Sequence, residues 1–302
     1  MVVMDTSLAD DVLHRFVLER AGVRGVLVRL GPVWQEIAAR AEYPAPLRQL
    51  LGQSMAASAL LTGNIKLEGE LSLELKTNGP LRLLFAECTE QGRMRGLARW
   101  QGDLPEPLAL NQLDGALMAI TIGNIDRGQR YQGLVGLEQA GLGPALEAYF
   151  AQSEQLPAKL LLAADGEHAV GLMLQRMPGH GGHEVEVDED GWDRVRHLMA
   201  TLGDEEALSV APEVLLHRLF HEEQVQVFEA RPLRFGCSCS RERVQRMLRS
   251  LGREEVEAAL AVRDGEIEVI CEFCAERYTF DRVDAEHLLT ADLPAEVHPG
   301  VQ

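Results

Sequence analysis

Cys237-Ser238-Cys239 and Cys271-Glu272-Phe273-Cys274 hold four of the five cysteines in the chain. A Cys-x-Cys pair and a Cys-x-x-Cys pair can each bring two thiolates onto one ion, and four thiolates fill the tetrahedral shell that zinc prefers. No histidine stands between the pairs, from Ser240 to Ile270, to compete as a ligand. Each pair is also close enough along the chain to close as its own disulfide. One stretch is therefore able to be a metal site in a reducing compartment and two disulfides under oxidation. An inert structural clip and a redox switch both fit this spacing.

Local patterning around the cysteines gives a small module over residues 235–302. Ser240 suits the N-cap of a helix Arg241 to Leu251, with Val244, Met247, Leu248 and Leu251 on one face and Gly252 past its end. A short helix, Glu254 to Val262, runs to the turn Asp264-Gly265. Glu266 to Ile270 alternates as a strand and delivers Cys271, and Tyr278 and Phe280 continue as a return strand. With about seventy residues and few apolar ones, such a module is near the limit for folding alone. Structural zinc contributes about 10–16 kcal/mol at neutral pH, which is also folding energy.

Immediately upstream, residues 179–234 read as a helical linker. Gly179-His180-Gly181-Gly182-His183 is a hinge whose histidines are incidental or metal-ligating, and the incidental reading is the simpler one. From Glu184 to Arg234 there are thirteen Asp and Glu against five Lys and Arg. Two amphipathic helices are expected, one carrying Trp192, Val195, Met199 and Leu202, the other opening at Pro212 and carrying Leu215, Leu216, Leu219 and Phe220. Helices this short take most of their stability from packing. They form either a metastable module folded only while its neighbours hold it, or an ordinary helical part of the core.

Residues 1–178 read as a strand-rich core domain. Strands are expected at Val23 to Leu30, Ile65 to Lys76, Leu81 to Glu87, Ala116 to Ile122, Tyr131 to Leu137, Lys159 to Ala164 and Ala169 to Arg176. In the first of these Val26, Val28 and Leu30 lie on one side and Gly25, Leu27 and Arg29 on the other. Helices fit Val33 to Glu42, Pro144 to about Gln152, and a run opened by Pro44 and Pro46 that stops at Gly63-Asn64. Asn78-Gly79-Pro80 is a turn. Cys88, ending a strand, reads as a small buried core residue. The fold class is α+β: a strand-rich core with packed helices, a helical linker and a small C-terminal zinc-binding domain.

The totals limit the function. Twenty-nine Lys and Arg against 47 Asp and Glu give a net charge of −18, the wrong sign for binding phosphate backbones. No apolar run approaches the length of a membrane span, and Met1 to Asp11 shows no signal-peptide pattern. A cytoplasmic, reducing home is expected, where paired cysteines bind metal or act in redox chemistry. No Walker loop, Gly-x-Gly-x-x-Gly motif or catalytic triad is present.

The residues Phe235-Gly-Cys-Ser-Cys-Ser-Arg-Glu-Arg-Val244, Leu251-Gly252 with Glu254-Glu255, and Cys271-Glu-Phe-Cys274 with Tyr278 resemble a known family, the redox-regulated heat-shock holdases often called the 33 kDa chaperonin. Val23-Arg24-Gly25, Asn78-Gly79-Pro80, Met94-Arg95-Gly96, Tyr149 with Ser153-Glu154-Gln155, and Gln175 to Pro178 extend the resemblance over nearly the whole chain. One departure is Leu67, where the family carries an aromatic residue. The resemblance implies an ATP-independent chaperone, not an enzyme, that is inactive when reduced and holding one zinc through Cys237, Cys239, Cys271 and Cys274. Under oxidation and unfolding stress, Cys237–Cys239 and Cys271–Cys274 disulfides form and zinc leaves. The linker then unfolds, and its stripe of Trp192, Val195, Met199, Leu215, Leu219 and Phe220 detaches, so that unfolded clients are bound, with a homodimer as the active form. Two other readings remain at this level. A thiol–disulfide oxidoreductase would use Cys271 and Cys274, although such a motif usually follows a βαβ pattern. A zinc-ribbon interaction protein is the other, and the acidic balance argues against nucleic acid as its partner.

Overall fold

A twenty-residue helix, Ala45–Asn64, packs against strands of two six-stranded sheets and is buried on nearly every side. The computed structural model describes residues 10–65, 68–124, 129–177 and 188–290. This helix is α2; α1, Pro32–Ala38, precedes it. From Leu50 onward its residues are mostly apolar or small on every side, as suits a helix enclosed on all sides. Three of the polar residues it buries are satisfied locally, Ser54, Ser58 and Thr62 donating back to the carbonyls of Leu50, Met55 and Ser58 at 2.8, 2.8 and 2.7 Å, and Asn64 donates to Gln175 Oε1 at 3.1 Å.

The first sheet contains β1 (Val12–Leu18), β2 (Val23–Leu30), β8 (Ala158–Ala164), β9 (Ala169–Arg176) and the two-residue strands β10 (Gln226–Val227) and β11 (Arg231–Pro232). Its order is β10-β1-β2-β9-β8, with β11 also paired to β1. The second contains β3 (Glu70–Lys76), β4 (Leu81–Thr89), β5 (Arg93–Trp100), β6 (Leu117–Asn124), β7 (Gln129–Val135) and β12 (Arg234–Phe235), in the order β12-β5-β4-β3-β6-β7. Helix α3, Leu142–Tyr149, packs beside β8 and continues into a wider turn over Phe150–Glu154. Cys88 lies fully buried in the core between the sheets.

The first sheet is buried on both faces. Val26, Val28, Leu30 and Met173 belong to the α2 core, whereas Phe16, Leu18, Val23, Leu27, Val170, Leu172 and Leu174 belong to a second apolar cluster. That second face is covered by α4 (Gly191–Met199), α5 (Asp204–Ser209) and α6 (Pro212–Phe220). Gly25 is required there, because a Cβ would stand 2.1 Å from the ring of Phe16. After α6 the chain is stitched to both sheets through β10, β11 and β12, as far as the Gly236 N–H on the Met94 carbonyl at 3.0 Å.

Residues 1–236 form one compact unit and 237–302 another. In the second, α7 (Arg241–Leu251), α8 (Arg253–Val262) and α9 (Arg282–Thr290) pack on the hairpin of β13 (Glu266–Ile270) and β14 (Arg277–Asp281). Val244, Leu248, Val256, Ile267, Phe280, Ala285 and Leu288 make its small core.

The chain is α+β, and several expected element limits shift. Helix α1 stops at Ala38, short of Glu42. Gly63 and Asn64 lie inside α2, because the close approach of Leu13 and Val26 leaves Gly63 no room for a side chain. Strand β3 begins at Glu70, not Ile65. The segment 191–220 holds three helices, where two were expected. Strands β1 and β5, the short strands β10 to β12, and α9 were not expected. The hinge 179–183, the acidic residues 184–187 and Leu67 lie outside the described residues. Among the described residues no helix is long and apolar enough to cross a membrane.

Candidate metal centre

Cys237 and Cys239 stand on the segment between β12 and α7. Ser240 caps α7, accepting from the Arg243 N–H at 3.2 Å, and the Arg243 guanidinium donates back to the Ser238 carbonyl at 2.8 Å. These bonds fix the turn that presents both sulfurs. Cys271 follows β13 directly. Its N–H bonds the Glu276 carbonyl at 2.9 Å, and its carbonyl accepts from the Ala275 N–H at 2.7 Å. Ala275 takes a left-handed φ of 58°, so the chain folds back tightly around Cys274. Arg241 ties the two halves: it donates to the Thr279 carbonyl and to Asp284, each at 2.8 Å, and its guanidinium lies 4.3 Å from the Phe280 ring centre.

The four Sγ atoms all lie within 4.8 Å of one another. Cys237 Sγ is 3.6 Å from Cys271 Sγ, and Cys239 Sγ is 3.3 Å from Cys274 Sγ. All are free thiols. A tetrahedral zinc with bonds of about 2.3 Å would set its sulfurs roughly 3.8 Å apart, so these spacings and this all-sulfur donor set fit such an ion. Burial, then the crowding of neighbouring thiols, pushes the Cys274 thiol far above its ordinary range. Four thiolates side by side repel, and a divalent cation between them offsets that repulsion. Cys239 also accepts a hydrogen bond from the Tyr278 hydroxyl at 3.1 Å.

The Hsp33 protein family model matches residues 11–281. The chain belongs to the Hsp33 family. A 33 kDa chaperonin of Nitrosococcus oceani is 44% identical over 287 residues, covering 95% of this chain and 97% of that one. The 33 kDa chaperonin of Chromobacterium violaceum is 44% identical over 288 residues, covering 94% of this chain and 96% of its own. The crystal structure of the 33 kDa chaperonin, an Hsp33 homologue, from Thermotoga maritima superposes with a TM-score of 0.77 over 93% of this chain and 98% of that one; at 22% identity the likeness is one of fold.

In this Hsp33 chain the side chains of α4 to α6 lie against the first sheet. Val195, Met199, Leu215 and Phe220 are buried, and Trp192 and Leu219 are partly buried on the same cluster. Sequence reasoning missed the polar groups at this seam. Arg29, 2% exposed, donates to Asp10 at 2.6 Å and to the Leu208 and Val210 carbonyls at the end of α5. His14, also buried, holds its Nε2 3.5 Å from Glu213 on α6, with no hydrogen-bond partner among the described residues. Arg194 bridges Asp188 and the buried Glu223 at 2.8 and 2.6 Å. A signal for Arg29 was available: it shares a strand face with Gly25 and Leu27, and a charged residue among buried apolar ones needs partners.

Proposed function

We propose that this chain is a redox-regulated, ATP-independent holdase that binds unfolding proteins and prevents their aggregation. Membership of the Hsp33 family, with relatives named 33 kDa chaperonin, supports a chaperone. The observation that carries the regulated reading is the apolar face of the first sheet, closed by three short helices that lead through β10 to β12 into Cys237.

Reduced, the four thiolates hold one zinc, and the metal supplies folding energy to a module with a small core. Peroxide is the oxidant. Each thiolate pair gives two electrons and one S–S bond forms; one peroxide takes those electrons and two protons from solvent and becomes two waters. With both pairs oxidised, no thiolate remains to hold a metal. The module loses structure, and the linker segment attached to it loosens. Phe16, Leu18, Leu27 and Leu172 then become available to apolar client segments, as do the faces of α4 to α6. The active form is a homodimer and the site of action is the cytoplasm, where five free thiols and a charge of −18 are suited to a reduced, soluble chaperone.

The test is light scattering of a thermally unfolding enzyme without nucleotide. The oxidised protein is expected to suppress scattering and the reduced protein not to. Catalytic disulfide turnover on a small dithiol substrate, with no suppression of scattering, would favour the oxidoreductase instead.

A further inference from the structure

Tyr278 reaches across the cysteine cluster. It stands on β14, beyond the second pair, yet its hydroxyl donates to Cys239 of the first pair at 3.1 Å. The ring is held in place. Tyr278 pairs with Val269 across the hairpin, lies partly buried against the module core, and is flanked by Thr279, whose carbonyl is engaged by Arg241. The hydroxyl therefore meets the sulfur from a fixed direction.

We infer that Tyr278 is a positioning residue of the metal centre, which fixes Cys239 Sγ in the orientation a metal needs and, by drawing charge from it, blunts that sulfur as a nucleophile. The physical basis is general. A donor to a metal-bound sulfur takes part of the thiolate's charge and fixes its lone pairs, and loss of such an outer partner costs 10–100-fold in metal affinity. Tyr278 acts on one sulfur of the four, so its effect is selective. Its link between the hairpin and the Cys237–Cys239 turn also couples the two pairs. The inference rests on the cluster being a metal centre.

The experiment compares zinc-loaded parent and Tyr278→Phe protein in two ways. Zinc transfer to a chromogenic chelator gives relative affinity. Alkylation by iodoacetamide in excess zinc, resolved by residue with mass spectrometry, gives the reactivity of each sulfur as its S–C bond forms and iodide leaves. Tyr278→Phe is expected to bind zinc about tenfold more weakly or worse. Its Cys239 should alkylate up to about tenfold faster, with Cys274 changed much less. Phe280→Leu, which loosens the module core without touching sulfur, should raise all four rates together. Equal chelator competition and equal Cys239 alkylation in parent and Tyr278→Phe would overturn the inference while leaving the metal reading intact. A uniform rise at all four sulfurs in Tyr278→Phe, matching Phe280→Leu, would also overturn it. A parent that holds no zinc would overturn both.

Discussion

The rings of Phe16 and Phe220 stack with their centroids 6.0 Å apart. Phe16 belongs to the first sheet and Phe220 ends α6, so this pair marks where the linker closes over the core. Phe220→Asp places a charge in a fully buried apolar site at a cost of roughly 3–5 kcal/mol or more. That exceeds what helices of nine residues hold in reserve, but not what the α2 core holds. The variant should suppress client aggregation while reduced and metal-bound. Hydrogen exchange should show 191–220 open and β4 protected. Open linker helices with clients aggregating as in the reduced parent would mean that linker release is not sufficient.

Arg29 predicts a second route to the same state. Its guanidinium is buried and joins Asp10 to the carbonyls that end α5. Removing one member of a buried charged network costs about 3–5 kcal/mol. Arg29→Ala should therefore raise exchange across 204–210 well before the α2 core opens. Parent-like protection in α5 would show that apolar packing alone holds the linker.

Acid should weaken the seam. Burial holds the His14 imidazole below its ordinary range, and the Glu213 carboxylate opposes that effect in part. The released state then takes up a proton more readily than the docked state. Stability from a neutral His14 is complete above about pH 6.5, the unperturbed value, and is lost as pH falls toward the lower docked-state value. Between pH 7 and pH 5 the linker of the parent should become easier to unfold. His14→Gln should flatten that part of the dependence, and an unchanged slope would place it elsewhere.

Oxidation should join sequence neighbours, Cys237 with Cys239 and Cys271 with Cys274. In the folded module, the approaches of 3.6 and 3.3 Å run between the pairs instead. All four sulfurs lie within 4.8 Å of one another, so neighbour pairing would show that chain proximity chooses the partner, and crossed pairing that the shortest folded-state approach does. Peptide mapping separates the two, and a majority of crossed disulfides would contradict the account. Cys88 should remain reduced: it is buried in the core, and burial pushes its thiol up to about 11, leaving little thiolate at neutral pH.

The cysteine module was legible in sequence because its signals are local: two cysteine pairs, a serine cap, and a hairpin whose alternation reaches Cys271. The alternation of Leu71, Leu73 and Leu75 likewise gave β3. What was not legible depends on partners distant in the chain. β1 is buried by α2 on one face and the linker helices on the other, so its apolar residues do not alternate cleanly. β5 carries Arg93, Arg95 and Arg99 on one face, and these charges mask the buried Met94, Gly96 and Ala98 opposite. The two-residue strands β10 to β12 exist only as extensions of longer partners. α5 is too short to show a period. Tyr278 could be placed on a strand, but not aimed at Cys239, because the aim comes from how the hairpin meets the first pair.

The most direct test is to measure zinc content and aggregation suppression on the same sample, before and after peroxide at raised temperature. The account predicts about one zinc per chain and no suppression in the reduced protein. After oxidation it predicts zinc in solution and suppression of client aggregation, both reversed by a reductant with added zinc. It predicts no bound zinc when Cys237, Cys239, Cys271 and Cys274 are all serine. Suppression that is equal in both states, or zinc retained in the oxidised active protein, would contradict it.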